Sequence, residues 1–309
     1  MKIAMIGTGY VGLVSGVCFS DFGHEVVCVD RDPAKIDRLK AGEVPIYEPG
    51  LKPLMDKNVA AGRLSFTTDL KAAVQGASAV FIAVGTPTRR GEGHADLSYV
   101  FAAAEEIAAA LTDYAVIVTK STVPLGSNRQ IKQVLRKARP DAAFDVASNP
   151  EFLREGAAID DFLHPDRVVI GTQNTQAADV MAAIYAPLSE AGYPVMHCDL
   201  ESAEMVKYAA NAFLATKITF MNEIASLCER VGADVATVAR GMGADDRIGA
   251  RFLQAGPGYG CSCFPKDTRA LARNGQEQAV PQTNVEPVIQ TDEGIKLRMV
   301  EKLRDLCDL

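Results

Sequence analysis

The sequence lacks a long apolar run, an excess of basic residues and a clustered set of cysteines. No stretch of about 18 or more apolar residues occurs, so we expect no transmembrane helix. The formal net charge of −7 argues against non-specific binding to nucleic acid or to anionic membranes. The seven cysteines are odd in number and scattered, and the N-terminus lacks the layout of a secretory signal peptide. These absences together predict a reduced, cytoplasmic protein.

The first two-thirds of the chain alternate short apolar runs with helical patterns. The length of 309 residues suits about two domains. Buried strands are predicted at residues 2–6, 25–30, 79–84, 115–119, 144–147 and 167–170. Helix-compatible stretches lie between them, such as residues 96–111 with Asp96 as a candidate N-cap. This alternation predicts an α/β fold with a parallel sheet that is covered by helices on both faces.

The character of the chain changes at about residue 200. Residues 201–231 contain no proline or glycine and place apolar residues three and four apart, which predicts one long helix. Such a helix packs against several neighbours or forms part of a subunit interface. Residues 285–309 show a second helical pattern, which stops at Leu309 without a cap and suggests a truncated chain. We therefore expect an α/β domain over residues 1–200 and an all-helical domain over residues 201–309.

A G-x-G-x-x-G element made by Gly7, Gly9 and Gly12 directly follows the first predicted strand and opens a helix. The first glycine permits a tight turn, the second lets the backbone approach a pyrophosphate, and the third allows close packing of helix and strand. The next predicted strand ends at Asp30, where a carboxylate binds the hydroxyls of an adenosine ribose. An acid there favours NAD over NADP, although Arg31 beside it is able to accept a 2′-phosphate. The pattern predicts an NAD site.

Residues 256–267 (GPGYGCSCFPKD) contain three glycines and two prolines, which predict a shaped loop in place of a regular element. The loop carries Cys261, Cys263, Lys266 and Asp267. A lysine near a thiol lowers the pKa of the thiol and favours the nucleophilic thiolate. The cysteines could instead be inert, or bind a metal, although no matching Cys/His cluster completes a four-ligand zinc site. Residue spacing alone leaves these three interpretations open.

This loop resembles the signature of the UDP-glucose/GDP-mannose dehydrogenase family, in which a G-x-G-G-S-C-F-P-K-D segment carries the active cysteine. Further family-like stretches follow the family's order: 85–87 (GTP), 121–124 (STVP), 149–156 (NPEFLREG), 207–213 (KYAANAF), 247–249 (RIG) and 252–256 (FLQAG). The resemblance implies a Rossmann-like NAD-binding domain, then an all-helical central domain whose long helix forms a homodimer. The family's C-terminal Rossmann-like domain is absent from this chain.

The resemblance also implies a reaction. Members oxidise a primary alcohol to a carboxylic acid in two hydride transfers, so we expect NAD-dependent oxidation of UDP-glucose to UDP-glucuronate. Cys263 would form a thiohemiacetal and then a thioester with the substrate. Phe264 favours UDP-glucose, because GDP-mannose enzymes tend to have leucine there. The alternatives are a GDP-mannose or other nucleotide-sugar 6-dehydrogenase, or a non-catalytic fragment for NAD binding and dimerisation.

Six residues are assigned catalytic roles by this resemblance: Cys263, Lys207, Asn211, Asp267, Glu151 and Thr122. Lys207 and Asn211 are four residues apart on the long helix and would stabilise negative charge on the oxygen at the reacting carbon. The resemblance leaves open whether Asp267 or Glu151 acts as general base. No metal ligand is expected.

The resemblance assigns further residues to the two ligands. The NAD site would comprise Gly7, Gly9, Val11, Gly12, Asp30, Lys35, Thr86, Thr122, Glu155 and Lys266. The sugar-nucleotide site would comprise Glu151, Phe152, Leu153, Arg154, Glu155, Lys207, Asn211, Phe252, Leu253, Gln254, Ala255, Gly256 and Gly260.

Two departures from the family pattern affect the expected activity. Cys261 stands where the family has glycine. If the position needs a positive φ, a cysteine there costs on the order of 1 kcal/mol or more. Cys261 could also form a disulfide or a metal pair with the nucleophile. The missing third domain removes binding energy that supports catalysis. We therefore expect this chain to bind NAD and to oxidise UDP-glucose weakly or not at all.

Overall fold

The computed structural model describes residues 1–87, 95–260 and 263–307. The chain divides into two compact units. The first comprises Met1–Pro87 and Asp96–Lys207, and the second comprises Ala95 and the described residues from Tyr208 onward. Cys261, which the sequence places in the glycine-rich loop, lies outside the described residues.

The first unit is built on one sheet of eight strands in the order β3-β2-β1-β4-β5-β6-β7-β8. The strands are β1 Lys2–Ile6, β2 Glu25–Val29, β3 Leu64–Thr67, β4 Ala79–Ile82, β5 Ala115–Thr119, β6 Phe144–Ser148, β7 Val168–Gly171 and β8 Val195–Cys198. The six predicted strands are confirmed to within two residues at each end, whereas β3 and β8 were not predicted.

The sequence predicted a parallel sheet, but one pair of strands departs from this. β6 and β7 pair in antiparallel fashion through Ser148 and Gly171. All other neighbouring strands are parallel. An antiparallel pair requires the chain that leaves β6 to enter β7 from the same edge of the sheet. The intervening segment, which includes residues 149–156, is therefore held at the carboxyl edge of the parallel strands.

Nine helices of the described residues belong to this unit. They are α1 Tyr10–Asp21, α2 Pro33–Lys40, α3 Leu51–Ala60, α4 Leu70–Val74, α5 Ser98–Ala110, α6 Ser127–Ala138, α7 Ala158–Leu163, α8 Thr175–Ile184 and α9 Ala186–Glu190. Alternate strand residues enter two separate cores: Met5 and Phe81 pack with α1, whereas Ala4 and Ile82 pack with α5. Helices thus cover both faces of the sheet, as predicted.

The N-cap of α5 differs from the prediction. The cap is Leu97, and Asp96 lies one residue before it. The Asp96 carboxylate still accepts a hydrogen bond from the backbone N–H of Ser98 at 2.9 Å, so it satisfies one donor of the first turn.

The second unit is helical in the part of the chain that the structure describes. Its helices are α10 Leu200–Val231, which begins in the first unit, α11 Val235–Gly243, α12 Cys263–Glu277 and α13 Val285–Cys307. The predicted long helix is confirmed as α10, and the second predicted helix as α13. Over the described ranges, no helix combines the length and apolarity that crossing a bilayer requires.

The prediction of a loop over residues 256–267 is wrong for the last five residues, because α12 begins at Cys263. Pro265 lies in the first turn of α12, where backbone N–H groups have no partner within the helix. A proline is therefore tolerated at that position.

Candidate active site

The residues predicted to bind NAD in the first unit follow parallel strands of the sheet. Gly7 follows β1, Asp30 follows β2, residues 83–87 follow β4, and residues 120–122 follow β5. Parallel strands place these segments at one edge of the sheet. The strand order reverses between β1 and β4, and ligands of open α/β sheets bind in the crevice at such a point.

The glycines of the first turn allow approaches that a side chain would prevent. Gly7 has φ +104°, and a Cβ on it would lie 2.6 Å from the carbonyl oxygen of Ala83. A Cβ on Gly12 would lie 2.0 Å from the oxygen of Gly7. Gly9 is the N-cap of α1, and the space beside it is open to 4 Å. The turn therefore packs closely on the protein side and leaves the helix N-terminus accessible to a pyrophosphate.

Asp30 lies beside this turn as an ionised carboxylate. Its Oδ2 accepts hydrogen bonds from the backbone N–H of Thr8 at 3.0 Å, from the Thr8 hydroxyl at 2.6 Å and from Lys35 Nζ at 2.8 Å. Burial alone would raise the pKa of Asp30, but Lys35 and Thr8 outweigh it and lower the pKa to about 2. The neighbouring Arg31 pairs with Glu106 on α5. The acid predicted for the ribose is thus in place, and the arginine has a carboxylate partner.

The segments after β4 and β5 are joined by hydroxyl groups. The Thr86 hydroxyl donates to the carbonyl oxygen of Thr122 at 3.0 Å, and the Ser121 hydroxyl donates to that of Val84 at 2.6 Å. Thr86 and Thr122 are both buried. Two residues predicted to line the NAD site are therefore held together at the predicted edge.

Glu204, which the sequence analysis did not identify, holds the segment after β5. Its carboxylate accepts hydrogen bonds from the backbone N–H groups of Gly126 at 2.5 Å and Asn128 at 2.9 Å, and from Asn128 Nδ2 at 2.7 Å. The carboxylate therefore caps the N-terminus of α6 from α10. Burial raises the pKa of Glu204 despite these bonds.

Glu151 and Lys207 form a buried pair in the first unit. Lys207 Nζ lies 3.2 Å from Glu151 Oε1 and donates to the Glu151 carbonyl oxygen at 2.6 Å. Glu151 Oε2 accepts from the backbone N–H of Leu153 at 2.7 Å. Burial acts to raise the pKa of Glu151, but the charge of Lys207 and the Leu153 N–H keep the pKa below its ordinary value. The structure thus brings together two predicted catalytic residues with the carboxylate ionised.

Lys120, which the sequence analysis also missed, is a buried lysine at the carboxyl end of β5. Its Nζ donates to Asn149 Oδ1 at 3.0 Å and to the Tyr185 hydroxyl at 3.3 Å, and it lies 5.7 Å from the centre of the Phe162 ring. Burial lowers the pKa of Lys120 to about 8, and the charge of Glu151 opposes that change. A lysine directly after a strand that is predicted to be buried was the available sequence signal.

The predicted substrate loop is anchored by carboxylates. Arg154 pairs with Asp161 through its guanidinium and also donates its backbone N–H at 2.7 Å. Glu48 accepts the backbone N–H groups of Gly156 at 2.8 Å and Ala158 at 2.9 Å, and also the Tyr10 hydroxyl. The guanidinium that the sequence assigned to substrate is therefore engaged within the protein.

The aromatic side chain of Phe152 and the acidic side chain of Glu155, in the same loop, have different surroundings. The guanidinium of Arg167 lies 3.6 Å from the centre of the Phe152 ring, and Lys207 Nζ lies 5.2 Å from it. Glu155 is exposed at the surface. Phe152 thus packs between two cations, and Glu155 is accessible to a ligand.

The second unit holds the predicted nucleophile at a helix N-terminus. Cys263 is the first residue of α12 and is half-buried. Asp267 lies one helical turn further on, and its Oδ2 accepts a hydrogen bond from Asn211 Nδ2 at 2.6 Å. Asp267 and Asn211 are both buried, and Lys266 Nζ lies 3.9 Å from Asp267 Oδ1. A thiol at the positive end of a helix dipole is one of the environments that favour the thiolate.

The predicted substrate segment 252–256 has an unusual backbone. Phe252 has φ 65°, a conformation that costs on the order of 1–3 kcal/mol in a bulky residue and occurs preferentially at functional sites. Leu253, Gln254 and Ala255 line a groove of about 500 Å³ together with residues of α11. Gly256 donates its backbone N–H to Asn222 Oδ1 at 2.7 Å. The segment is thus shaped and anchored, and it continues toward Gly260.

Cys18 and Cys28 are buried core residues of the first unit, and burial raises the pKa of Cys28 to about 12. Across residues 1–87, 95–260 and 263–307, no group of three His, Cys, Asp or Glu side chains is arranged to hold a metal ion.

Comparison with known proteins is consistent with these two units. The model of the UDP-glucose/GDP-mannose dehydrogenase family, NAD binding domain, matches residues 1–189, and that of the family's central domain matches residues 201–294. The UDP-glucose 6-dehydrogenase of Rhizobium meliloti is 58% identical over 305 residues, covering 98% of this chain and 70% of the relative. UDP-glucose 6-dehydrogenase TuaD of Bacillus subtilis is 52% identical over 303 residues, covering 98% and 65%.

A solved structure extends the comparison to the fold. The UDP-glucose dehydrogenase of the hyperthermophilic archaeon Pyrobaculum islandicum superposes with a TM-score of 0.95 at 40% identity, covering 99% of this chain and 71% of that one. This chain spans 65% to 71% of the length of the three relatives named.

Proposed function

Because the chain belongs to the UDP-glucose/GDP-mannose dehydrogenase family, we propose that it carries the NAD-binding and central domains of an enzyme that oxidises UDP-glucose to UDP-glucuronate. The observation that carries the proposal is the placement of Cys263 at the N-terminus of α12, one turn before Asp267, whose carboxylate is hydrogen-bonded to Asn211. A thiol in this setting suits covalent capture of an aldehyde, which a simple alcohol dehydrogenase does not need.

The residues at the edge of the sheet fit NAD. The open N-terminus of α1 suits the pyrophosphate, and the ionised Asp30 with Lys35 suits the ribose hydroxyls. The pairing of Arg31 with Glu106 supports NAD over NADP, because the arginine is engaged by a carboxylate. These residues would hold NAD, which supplies the hydride acceptor, and the two oxidations would require two NAD molecules in turn.

The chain's own residues supply the remaining chemistry. In the first oxidation the hydroxyl of C6 loses its proton to a base and the carbon loses a hydride, which gives an aldehyde. The Cys263 thiolate adds to the aldehyde carbon, and the oxygen takes a proton to give a thiohemiacetal. Loss of that proton and of the second hydride leaves a thioester. Water then attacks the thioester carbon, the C–S bond breaks, and the carboxylate leaves with the thiolate restored.

We assign the charged residues to the oxygen and to the water. Lys207 and Asn211 donate hydrogen bonds to the oxygen at the reacting carbon, where negative charge develops on thiolate and water addition. Glu151 is ionised despite burial, which suits a carboxylate that accepts a proton from water. Asp267 remains the alternative base, and Thr122 helps to position the water.

The test is NADH formation by the full chain with UDP-glucose, with GDP-mannose as a competing substrate. Turnover should be weak, because the chain comprises only two of the family's domains, but however slow it is we expect two NADH for each UDP-glucose consumed. Cys263→Ala should lose this stoichiometry, whereas Cys307→Ala, which removes an exposed thiol on α13, should retain it. Full stoichiometry in Cys263→Ala would refute the proposal. A chain that binds NAD and forms no NADH would favour the non-catalytic fragment, and preference for GDP-mannose would change the substrate.

We also infer a homodimer formed through α10. Phe213, Phe220 and Leu227 recur every seven residues on this helix and are 67%, 46% and 60% exposed. A row of large exposed apolar side chains on one helix is typical of a subunit interface. Light scattering should give the mass of a dimer, and Leu227→Glu should give a monomer. Leu297→Glu, at an equally exposed apolar residue on α13, serves as the control and should leave the dimer intact.

We place the protein in the cytoplasm. The seven cysteines are odd in number and scattered, as in proteins of a reducing compartment. Fractionation of cells that express a tagged chain tests this placement, and recovery with the membranes would contradict it.

A further inference from the structure

A buried carboxylate on α13 holds the glycine-rich segment that precedes the nucleophile. Asp292 is 1% exposed, and its Oδ1 accepts a hydrogen bond from the backbone N–H of Tyr259 at 2.7 Å. Its Oδ2 pairs with Lys296 at 2.6 Å, one turn along the same helix. Both oxygens of the carboxylate are thus engaged, one by the segment and one by a cation that balances the buried charge.

The same contact explains the glycine before Tyr259. Gly258 has φ +104°, and a Cβ on it would lie 2.6 Å from Asp292 Oδ1. The segment therefore reaches α13 so closely that only glycine fits, both for its backbone conformation and for the space. The contact between Asp292 and the segment is close and specific to glycine at position 258.

Tyr259 transmits this anchoring to the first turns of α12. Its side chain is 4% exposed, and its ring lies 6.3 Å, edge to face, from the ring of Phe264, the second residue of α12. Its hydroxyl lies 3.5 Å from Thr268 Oγ1, which donates to the Phe264 carbonyl oxygen at 2.8 Å. Fixing Tyr259 therefore fixes the helical turn that begins with Cys263.

We propose that Asp292 is a positioning residue for Cys263: by holding Tyr259 it keeps the first turn of α12 formed, and the formed turn keeps the thiol activated. The thiolate at a helix N-terminus is stabilised by the helix dipole and by backbone N–H groups, and both are lost if the first turn frays. This inference rests on the role of Cys263 in the proposed function.

The test measures the reactivity of the thiol rather than turnover. The full chain is alkylated with iodoacetamide between pH 5 and 10, and the modified peptides are quantified by mass spectrometry. Cys307 on α13 is exposed and provides a reference thiol in the same tube, and the buried Cys18 reports unfolding. In the wild type we expect the midpoint of Cys263 alkylation to lie below that of Cys307.

Two variants break the contact from opposite sides. Asp292→Ala removes the acceptor, and Gly258→Ala drives the segment off Asp292 while leaving the carboxylate in place. Each should raise the midpoint of Cys263 alkylation, and the rate at pH 7 should fall up to about tenfold if the midpoint rises by about one pH unit. Asp292→Asn retains an acceptor oxygen and should rescue most of the rate. Glu293→Gln removes a charge from the adjacent exposed residue and should change nothing.

The outcomes separate the two ideas. In one outcome the midpoint of Cys263 alkylation lies below that of Cys307 in the wild type and stays unchanged in folded Asp292→Ala or Gly258→Ala. That result would overturn the positioning role of Asp292 and leave the proposed function standing. If Asp292→Ala unfolds, which Cys18 alkylation reveals, Gly258→Ala decides alone. A wild-type Cys263 that behaves like Cys307 would overturn both the positioning role and the proposed nucleophile.

Discussion

Lys120 provides the sharpest prediction about stability, because it is a lysine buried behind the candidate site. It is 4% exposed, and burial lowers its pKa to about 8, whereas an unfolded lysine has a pKa of about 10.4. The groups that face it are the charges of Glu151 and Lys207 and the thiol of Cys18. Between these two pKa values the unfolded chain binds a proton that the folded chain has released. The free energy of unfolding therefore rises with pH across this range.

The size of the effect follows from the difference between the two pKa values. Between pH 7 and pH 9.5 the folded lysine loses most of its charge while the unfolded lysine stays protonated. The contribution of Lys120 to the free energy of unfolding should increase by about 2 kcal/mol over this interval. Lys120→Met has a similar volume and no charge, so it should lack this increase.

The assay is urea unfolding followed by far-UV circular dichroism at both pH values. Lys137→Met, at an exposed lysine of α6, is the matched control and should keep the wild-type pH dependence. All other titrating groups are shared, so the difference between wild type and Lys120→Met isolates one side chain. The free energy of unfolding of wild type and of Lys120→Met could change by the same amount between pH 7 and pH 9.5. In that case burial would not lower the pKa of Lys120, and the reasoning would be wrong.

Two further predictions concern carboxylates of the first unit. Asp30→Ala should weaken NAD binding by about 10- to 150-fold, since one charge-assisted hydrogen bond to the ribose contributes about 1.5–3 kcal/mol. Calorimetric titration measures this, and unchanged affinity would remove Asp30 from the site. Glu204→Ala leaves the backbone N–H groups of Gly126 and Asn128 without their acceptor and should lower the free energy of unfolding by about 2 kcal/mol. Urea unfolding checks the second change, and a loss below about 0.5 kcal/mol, the range of ordinary surface substitutions, would contradict it.

The elements with the strongest local signals could be predicted from the sequence. Wholly apolar strands such as β4 and the glycine turn before α1 have unambiguous patterns, and α10 has no proline or glycine that interrupts it. By contrast, β3 and β8 are four-residue strands at the edges of the sheet, and no residue of β8 is buried. Such strands need little apolar character, because one face and one side remain in water.

The sequence did not predict where α12 begins or that Lys120 is buried, and the two failures have different reasons. Prolines and glycines around Cys263 indicated a loop, but a proline in a first helical turn loses no hydrogen bond. Lys120 could not be identified as buried, because its partners Asn149 and Tyr185 are 29 and 65 residues away in sequence. Contacts made by the tertiary fold leave no local pattern. The hydrogen bond between Asn211 and Asp267 joins residues that are 56 positions apart, so the spacing of residues in the sequence could not predict it either.

The central claim is that Cys263 bonds to the substrate, and trapping that bond tests it most directly. A high concentration of the full chain is mixed with UDP-glucose and NAD for a single turnover, quenched in acid and digested for mass spectrometry. We predict a UDP-glucuronyl thioester on the peptide that contains Cys263, and no adduct in Cys263→Ala. NADH formation with no adduct on Cys263, or with an adduct on another residue, would contradict it.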